Sequence, residues 1–334
     1  MRRKKTSPED LHNNCFFNED CITGARQHIG DDSVDLIITD PPYGINGDHL
    51  HHHYNRNESL VVDGYVEIPQ SEYEQFSLDW IKEAERILKP GGAIYIISGY
   101  TNLYYILHAL KQTKLKEVNH IIWKYSFGVF TRKKFVSSHY HILYYEKPGK
   151  PRTFNVEARF GLKEESDTGR SKNYCDREDV WKIPRQYKPG KIKNKNELPD
   201  ELLIKILQYN SNEGDRVCDF FLGGFSTARV AIGLNRNIVG FEKSPSIFNQ
   251  KIGEIEKIEP GQLLSQLRVP HINNPENQGK SWSREDSEKL IARYDELSYE
   301  GKLKKDIMKT LQEEFKRGYW SIDKALKKGK NEII

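Results

Sequence analysis

No run of apolar residues in the chain is long enough to span a bilayer. Its first residues, Met1-Arg2-Arg3-Lys4-Lys5, lead into no apolar segment of the kind a secretory signal carries. The expectation is a cytoplasmic protein with no membrane partner. Cysteine is scarce: Cys15, Cys21, Cys175 and Cys218 are all there is, and none pair as Cys-x-x-Cys. They read as free thiols in a reducing compartment, which argues against a zinc ribbon or a disulfide frame. Gly-x-Gly-x-x-Gly is also missing, and with it the pyrophosphate cradle of NAD and FAD proteins.

What is present suffices for a packed globule. The chain has 334 residues, of which 37% are hydrophobic and 11% aromatic, enough for one large or two unequal domains. Its net charge of +4 is unevenly spread. Between Lys111 and Lys195 there are 21 Lys and Arg against 9 Asp and Glu, and between Lys302 and Lys330 there are 10 against 4. A single lysine cluster is ordinarily a solvated surface. Two blocks, one of them between the halves of an α/β pattern, point to a polyanion such as nucleic acid.

The chain is organised around Val34-Asp35-Leu36-Ile37-Ile38-Thr39-Asp40-Pro41-Pro42-Tyr43-Gly44. A short apolar run closed by Pro-Pro reads as a buried parallel strand ending in a stiff loop. The loop offers a carboxylate, carbonyls and an aromatic face at the carboxyl edge of a sheet, where open α/β sheets bind ligands. Asp-Pro-Pro-Tyr could by itself be a surface turn. Directly after a buried strand it suits an exocyclic amine on a flat ring. Asp40 and the Pro41 carbonyl would accept the two amine hydrogens, and Tyr43, held by Pro42, would stack on the ring.

Around it the pattern alternates. A strand over residues 14–20 ends in Asp20, and a helix over 22–29 leads into the Val34 strand. Past Tyr43 lies a loop with His49 and three consecutive histidines, His51, His52 and His53. Neighbouring side chains point apart, so the loop reads as a lid rather than a metal site, and no metal is expected. A helix over 73–88 is expected to stop at Lys89-Pro90-Gly91-Gly92, followed by a strand over 92–98, a helix over 102–112, and strands over 118–125 and 140–146. Arg132, Lys133 and Lys134 make a basic loop between the last two. Residues 148–195 break the rhythm. Basic residues there, among them Arg170, Lys172, Lys191 and Lys193, interleave with Phe154, Phe160, Tyr174, Trp181 and Tyr187. This suits phosphate contacts with base stacking, although some of the aromatics must pack on the main sheet.

The α/β pattern resumes with a helix over 201–209, a strand over 215–221, the turn Leu222-Gly223-Gly224-Phe225, a helix from Ser226 to Leu234 and a strand over 237–242. A strand, a glycine turn, a helix and a second strand ending in an acid about twenty residues on is the geometry of an adenosine-cofactor site. Glu242 would take two ribose hydroxyls. A linker over 260–280 separates this domain, residues 1–270, from a unit over 281–334. There Ser283 caps one helix, a second runs from Leu303 to Phe315, and a third carries Lys324, Lys327 and Lys328. Three short helices with a basic last one form the plan of a helix-turn-helix module. A helical cap without DNA contact is the alternative.

With these pieces in place the chain resembles the β-class DNA amino-methyltransferases, which act on adenine N6 or cytosine N4. The likeness rests on Asp40–Tyr43 standing before Asp219-Phe220-Phe221-Leu222-Gly223, with the basic insert between. It also rests on Asn18-Glu19-Asp20-Cys21 and on Asn196-Glu197-Leu198-Pro199, and covers roughly residues 13 to 255. It implies a Rossmann-like methyltransferase sheet with permuted motif order, plus the small all-α unit, which is somewhat similar to a Myb or SANT fold. It implies S-adenosylmethionine, with Asp20 and Cys21 at its adenine, Glu242 at its ribose, and Asp219, Phe221, Gly223, Ser226 and Thr227 towards its methionine end. The family's Gly-Ser-Gly-Thr turn is replaced here by Gly223-Gly224-Phe225-Ser226.

The resemblance implies methyl transfer to a flipped base in duplex DNA. Asp rather than Ser at the head of the motif favours adenine, and cytosine N4 is the alternative. It admits a cognate restriction endonuclease and a second copy of the chain as partners. RNA and protein glutamine remain as other substrates, although the glutamine enzymes typically begin the motif with Asn. A non-catalytic DNA-binding protein is the last rival, opposed by the intact Asp40, Tyr43, Asp219 and Glu242.

Overall fold

The computed structural model describes residues 14–42, 68–125, 132–133, 135–156, 158–159, 176–185, 197–267, 277 and 280–331. The chain divides into two compact units, Met1–Pro270 and His271–Ile334.

The first unit is built on an eight-stranded sheet: β1 (Cys15–Phe17), β2 (Val34–Thr39), β3 (Leu88–Ser98), β4 (Lys116–Lys124), β5 (His139–Glu146), β6 (Val180–Lys182), β7 (Arg216–Asp219) and β8 (Asn237–Phe241). Their order is β1-β8-β7-β2-β3-β5-β4-β6. Among the described strands, β5 runs antiparallel to its neighbours β3 and β4, and the other pairings are parallel. Among the described residues, α1 (Cys21–His28), α2 (Tyr73–Ile87), α3 (Leu103–Lys111), α4 (Asp200–Asn210), α5 (Ser226–Gly233) and α6 (Pro245–Ile255) flank the sheet. Because both faces are covered, the central strands read as continuous apolar runs, as Leu36, Ile37 and Ile38 do.

Two cores lie on the two faces. Leu36, Ile38 and Val217 pack with Leu202, Leu203 and Ile206 of α4 and with Ala228 and Ala231 of α5. Ile37, Ile94 and Cys218 pack on the other side with Ala25 of α1, Trp80, Ile81 and Ala84 of α2, and Ile106 of α3. The chain leaves β2 towards α2 and leaves the adjacent β7 towards α5, on opposite faces. That divergence opens a crevice beyond the carboxyl ends of β2 and β7, the switch point of a doubly wound sheet.

Three sequence expectations are corrected. β1 stops at Phe17, and Asp20 caps α1 instead of ending the strand, its Oδ1 accepting from the N–H of Ile22 at 3.0 Å. Lys89-Pro90-Gly91-Gly92 is not a loop but the first part of β3, which begins at Leu88 as α2 ends at Ile87. The pairing with β2 is shifted between Val34 and Leu36, so the strand is irregular where Pro90 could not have served a ladder. Gly91 has φ +82°, and a Cβ there would lie 2.7 Å from the Pro151 carbonyl oxygen. Last, the insert is not all loop. Its β6 extends the sheet beside β4, Trp181 is buried, and Phe154 stacks on Tyr209 at 5.4 Å. The packing role expected for some of its aromatics is what these two perform.

The second unit holds α7 (Arg284–Tyr299), α8 (Lys304–Phe315) and α9 (Tyr319–Asn331). Leu290, Leu297, Ile307, Met308, Leu311, Ile322 and Leu326 form its core. Ser283 caps α7 by accepting from the Asp286 N–H at 3.0 Å. The Arg317 guanidinium lies 4.3 Å from the centre of the Trp282 ring and donates to the Ser281 carbonyl, closing the bundle. Among the described residues no helix is long and apolar enough to cross a membrane.

Candidate active site

Asp40, Pro41 and Pro42 follow directly on β2, so the strand delivers them to the mouth of the crevice. Pro41 is buried, while Asp40 and Pro42 are half-buried. The Tyr73 hydroxyl, at the start of α2, donates to the Pro42 carbonyl at 2.7 Å. Tyr43 and the histidine loop, His49 and His51 to His53, lie outside the described residues.

Next to this loop the ends of β4, β5 and β6 assemble a group that the sequence did not disclose. Trp123 and Tyr140 stack at 5.4 Å, and Tyr125 lies 5.5 Å from Tyr140. The Arg185 guanidinium sits over both tyrosines, at 5.2 and 5.3 Å from their ring centres. Burial pushes the Tyr140 phenol up; the Arg185 charge pulls it down and the charge of Asp40 pushes it up, which puts Asp40 and this shelf in one electrostatic neighbourhood. Nothing in the spacing of Tyr125, Tyr140 and Arg185 announces it. Only the antiparallel turn of β5 and the parallel addition of β6 bring the three together.

The turn after β7 carries the second half of the site. Asp219 is 3% exposed. Its carboxylate accepts from the Phe221 N–H and the Thr39 hydroxyl, each at 3.0 Å, and from Thr227. Burial outweighs these bonds and raises its pKa to about 6. Gly223, at φ +48°, donates its N–H to Glu242 Oε2 at 2.9 Å, while Glu242 Oε1 accepts from the Ser244 N–H at 2.7 Å. Burial raises the Glu242 pKa, and those two bonds oppose the shift. The Lys243 N–H is a third backbone donor to Glu242, which leaves the carboxylate capacity for one more hydroxyl donor.

Phe221 packs edge-on against Trp80 at 5.5 Å, and Ser226 and Thr227 are buried at the start of α5. Phe225 stands where a smaller residue was expected. Its ring is fully buried between Phe16 and Phe248, at 5.5 and 5.9 Å, as part of the core around α4 and α5. Its φ of +58° is costly for a bulky residue, roughly 1 kcal/mol or more. The core contacts hold it there. Asp20 has its Oδ2 3.7 Å from Lys243, and Cys21 is buried, with its thiol pushed well above the ordinary range by burial.

Of the basic residues expected to meet DNA, Arg132 and Lys133 are exposed between β4 and β5. Lys324, Lys327 and Lys328 are exposed on α9, Lys327 paired with Asp323 at 2.7 Å. Lys134, Arg170, Lys172, Lys191 and Lys193 lie outside the described residues. Asp40, Asp219 and Glu242 thus gather at the carboxyl ends of strands in one sheet, whereas the α9 lysines belong to the second unit.

The chain is similar to known proteins. The DNA methylase family N6_N4_Mtase matches residues 34–252. The Type II methyltransferase M.BamHI of Bacillus amyloliquefaciens is 32% identical over 241 residues, which cover 68% of this chain and 54% of that protein; the matched part is about half of that relative's length. M.HinfI of Haemophilus influenzae is 29% identical over 271 residues, covering 78% and 74%. Among solved structures, the cytosine-N4-specific PvuII DNA methyltransferase aligns over 73% of this chain and 91% of its own, with a TM-score of 0.53 and 15% identity. The M1.HpyAVI complex with S-adenosylmethionine aligns over 73% and 98%, with a TM-score of 0.50 and 20% identity. These two share the fold.

Proposed function

The chain belongs to the N6/N4 DNA methylase family, and from that premise we propose that it is a site-specific DNA methyltransferase that uses S-adenosylmethionine to methylate N6 of an adenine flipped out of the duplex. The observation that carries the reading is that the Asp40 loop and the Asp219–Gly223 turn leave neighbouring strands and are joined by the Thr39–Asp219 bond.

The residues present fit the cofactor. A half-buried acid at the end of β8, Glu242, can accept a ribose hydroxyl, and the backbone turn at Gly223 beside it allows close approach. Phe225, the departure from the expected turn, sends its ring into the core and so leaves the crevice side to the backbone. Asp20 stands at the adenine end by the same reading, and Asp219, with Ser226 and Thr227, shapes the methionine end. When bound, S-adenosylmethionine would supply an electrophilic methyl group: its sulfur–methyl bond would break as the nitrogen–methyl bond forms, the thioether would leave, and the nitrogen would give up one amine proton to solvent.

Asp40 and the Pro41 carbonyl accept the hydrogens of the exocyclic amine, which turns the nitrogen lone pair out of conjugation with the ring. Tyr43 stacks on the base. Asp40 also holds the positive charge that develops on the nitrogen as it bonds, so catalysis is positioning plus electrostatics. A full carboxylate at the head of the motif supports adenine. Cytosine N4 is the second reading, since the family is named for both amines. The proposed partners are duplex DNA, held by the basic insert and α9, and, on family grounds, a cognate restriction endonuclease and a second copy of the chain.

Incubation with methyl-labelled S-adenosylmethionine and unmethylated duplex DNA, RNA or cell protein tests the reading. Label in N6-methyladenine of DNA is expected. Label in N4-methylcytosine overturns the choice of base, and label confined to RNA or protein overturns the substrate class.

A further inference from the structure

A loop of two prolines has an anchoring problem. Pro41 and Pro42 carry no N–H, so neither can be pinned by donating a hydrogen bond. What remains are carbonyls, and each needs a donor from elsewhere in the fold. The Pro41 carbonyl is wanted by the substrate amine in the function proposed above. The Pro42 carbonyl is met by the Tyr73 hydroxyl at 2.7 Å.

Tyr73 is well placed to hold it. It is the first residue of α2 and is 1% exposed. Its ring meets Phe76 edge-on at 5.9 Å and lies 6.1 Å from Tyr105 of α3. Its backbone is tied by the Ser77 hydroxyl, which donates to the Tyr73 carbonyl at 2.7 Å. The phenol therefore projects from a rigid seat in the core that joins α2 and α3. A buried side chain fixed on three sides has little freedom left to lose when it bonds the loop.

The geometry points to Tyr73 as a positioning residue for methyl transfer: through the Pro42 carbonyl it sets the height and tilt of the segment that carries Asp40 and Pro41. At 1% exposed, it acts through the loop it holds. This inference rests on the reading of the Asp40 loop as catalytic. If Tyr73 acts this way, removing its hydroxyl slows the methyl-transfer step and leaves binding alone, because displacement of a reacting group by about 1 Å can cost about a hundredfold in rate.

The experiment compares Tyr73→Phe with wild type in single-turnover methylation of duplex DNA, with separate titrations of S-adenosylmethionine and of DNA. Tyr144→Phe is the control, since it removes another buried phenol hydrogen bond, from Tyr144 of β5 to Asn210 at 2.7 Å, that has no part in holding Tyr73 or the loop. The expected result is a single-turnover rate lowered about tenfold or more in Tyr73→Phe, both dissociation constants within about twofold of wild type, and a wild-type rate in Tyr144→Phe. An unchanged rate in Tyr73→Phe overturns the inference, and so does an equal slowing in Tyr144→Phe, which would mark a general loosening of the core. Wild type is the reference for the parent reading: if it labels no DNA at all, that reading fails, whereas a wild-type enzyme that labels DNA while Tyr73→Phe matches it defeats only the role of Tyr73.

Discussion

Thr39, the last residue of β2, donates its hydroxyl to the carboxylate of Asp219, the last residue of β7, at 3.0 Å. The bond is buried. It joins the strand that delivers Asp40 to the strand that delivers the glycine turn, so the two halves of the site share one rigid base. Thr39→Val keeps the shape and removes the donor. The expected outcome is a loss of about 1–2 kcal/mol in stability, read by denaturant unfolding, together with weaker binding of S-adenosylmethionine. Unchanged values for both would mean that the bond is incidental.

Asp219 also makes a prediction about pH. Burial raises its pKa from 3.8 to about 6. The folded protein therefore holds this proton more tightly than the unfolded chain does. Its contribution to stability is greatest below pH 3.8 and is lost as pH rises to about 6. Asp219→Asn removes that slope. The variant should gain stability relative to wild type as pH rises from about 4 to 6, in melting curves run in parallel, while it loses cofactor affinity. A difference between the two proteins that does not change across this interval would contradict the assignment.

Glu242 accepts from Gly223 and Ser244 and keeps capacity for more. Glu242→Ala should weaken S-adenosylmethionine binding by about tenfold or more, since hydrogen bonds to a charged group are worth roughly 1.5–3 kcal/mol. Calorimetric titration reads this directly. DNA affinity should hold, because Glu242 faces the cofactor side of the crevice in the reading above.

The lysines of α9 answer to salt. Lys324, Lys327 and Lys328 are all exposed on α9. Replacing Lys324 and Lys328 with Ala should weaken DNA binding and lower the slope of log affinity against log salt by up to about two. A slope equal to that of wild type would leave α9 without a phosphate contact.

Much of this site is legible in the sequence because its signals are local. A buried apolar strand must end where Asp40-Pro41-Pro42 begins, and a strand that ends in Asp219 before glycines must turn. What stayed hidden depends on partners far away in the chain. Lys89-Pro90-Gly91-Gly92 reads as a helix stop and a loop, but β2 on one side and the chain at Lys147 on the other hold it as a strand. Phe225 looks like an obstruction in the cofactor turn until its ring is seen between Phe16 and Phe248. The bond from Tyr73 to Pro42 spans thirty-one positions, and no motif around Tyr73 marks it. The shelf of Tyr125, Tyr140 and Arg185 exists only because β6 adds to the sheet from inside a segment whose composition suggests loop.

The most direct test of the account is Asp40→Ala. Methylation of duplex DNA by the variant is measured beside its binding of DNA and of S-adenosylmethionine. The account predicts that methylation falls at least about a hundredfold, as the orienting acceptor and its charge are lost, while both bindings persist. Methylation at the wild-type rate would contradict it and move the chemistry away from the loop after β2.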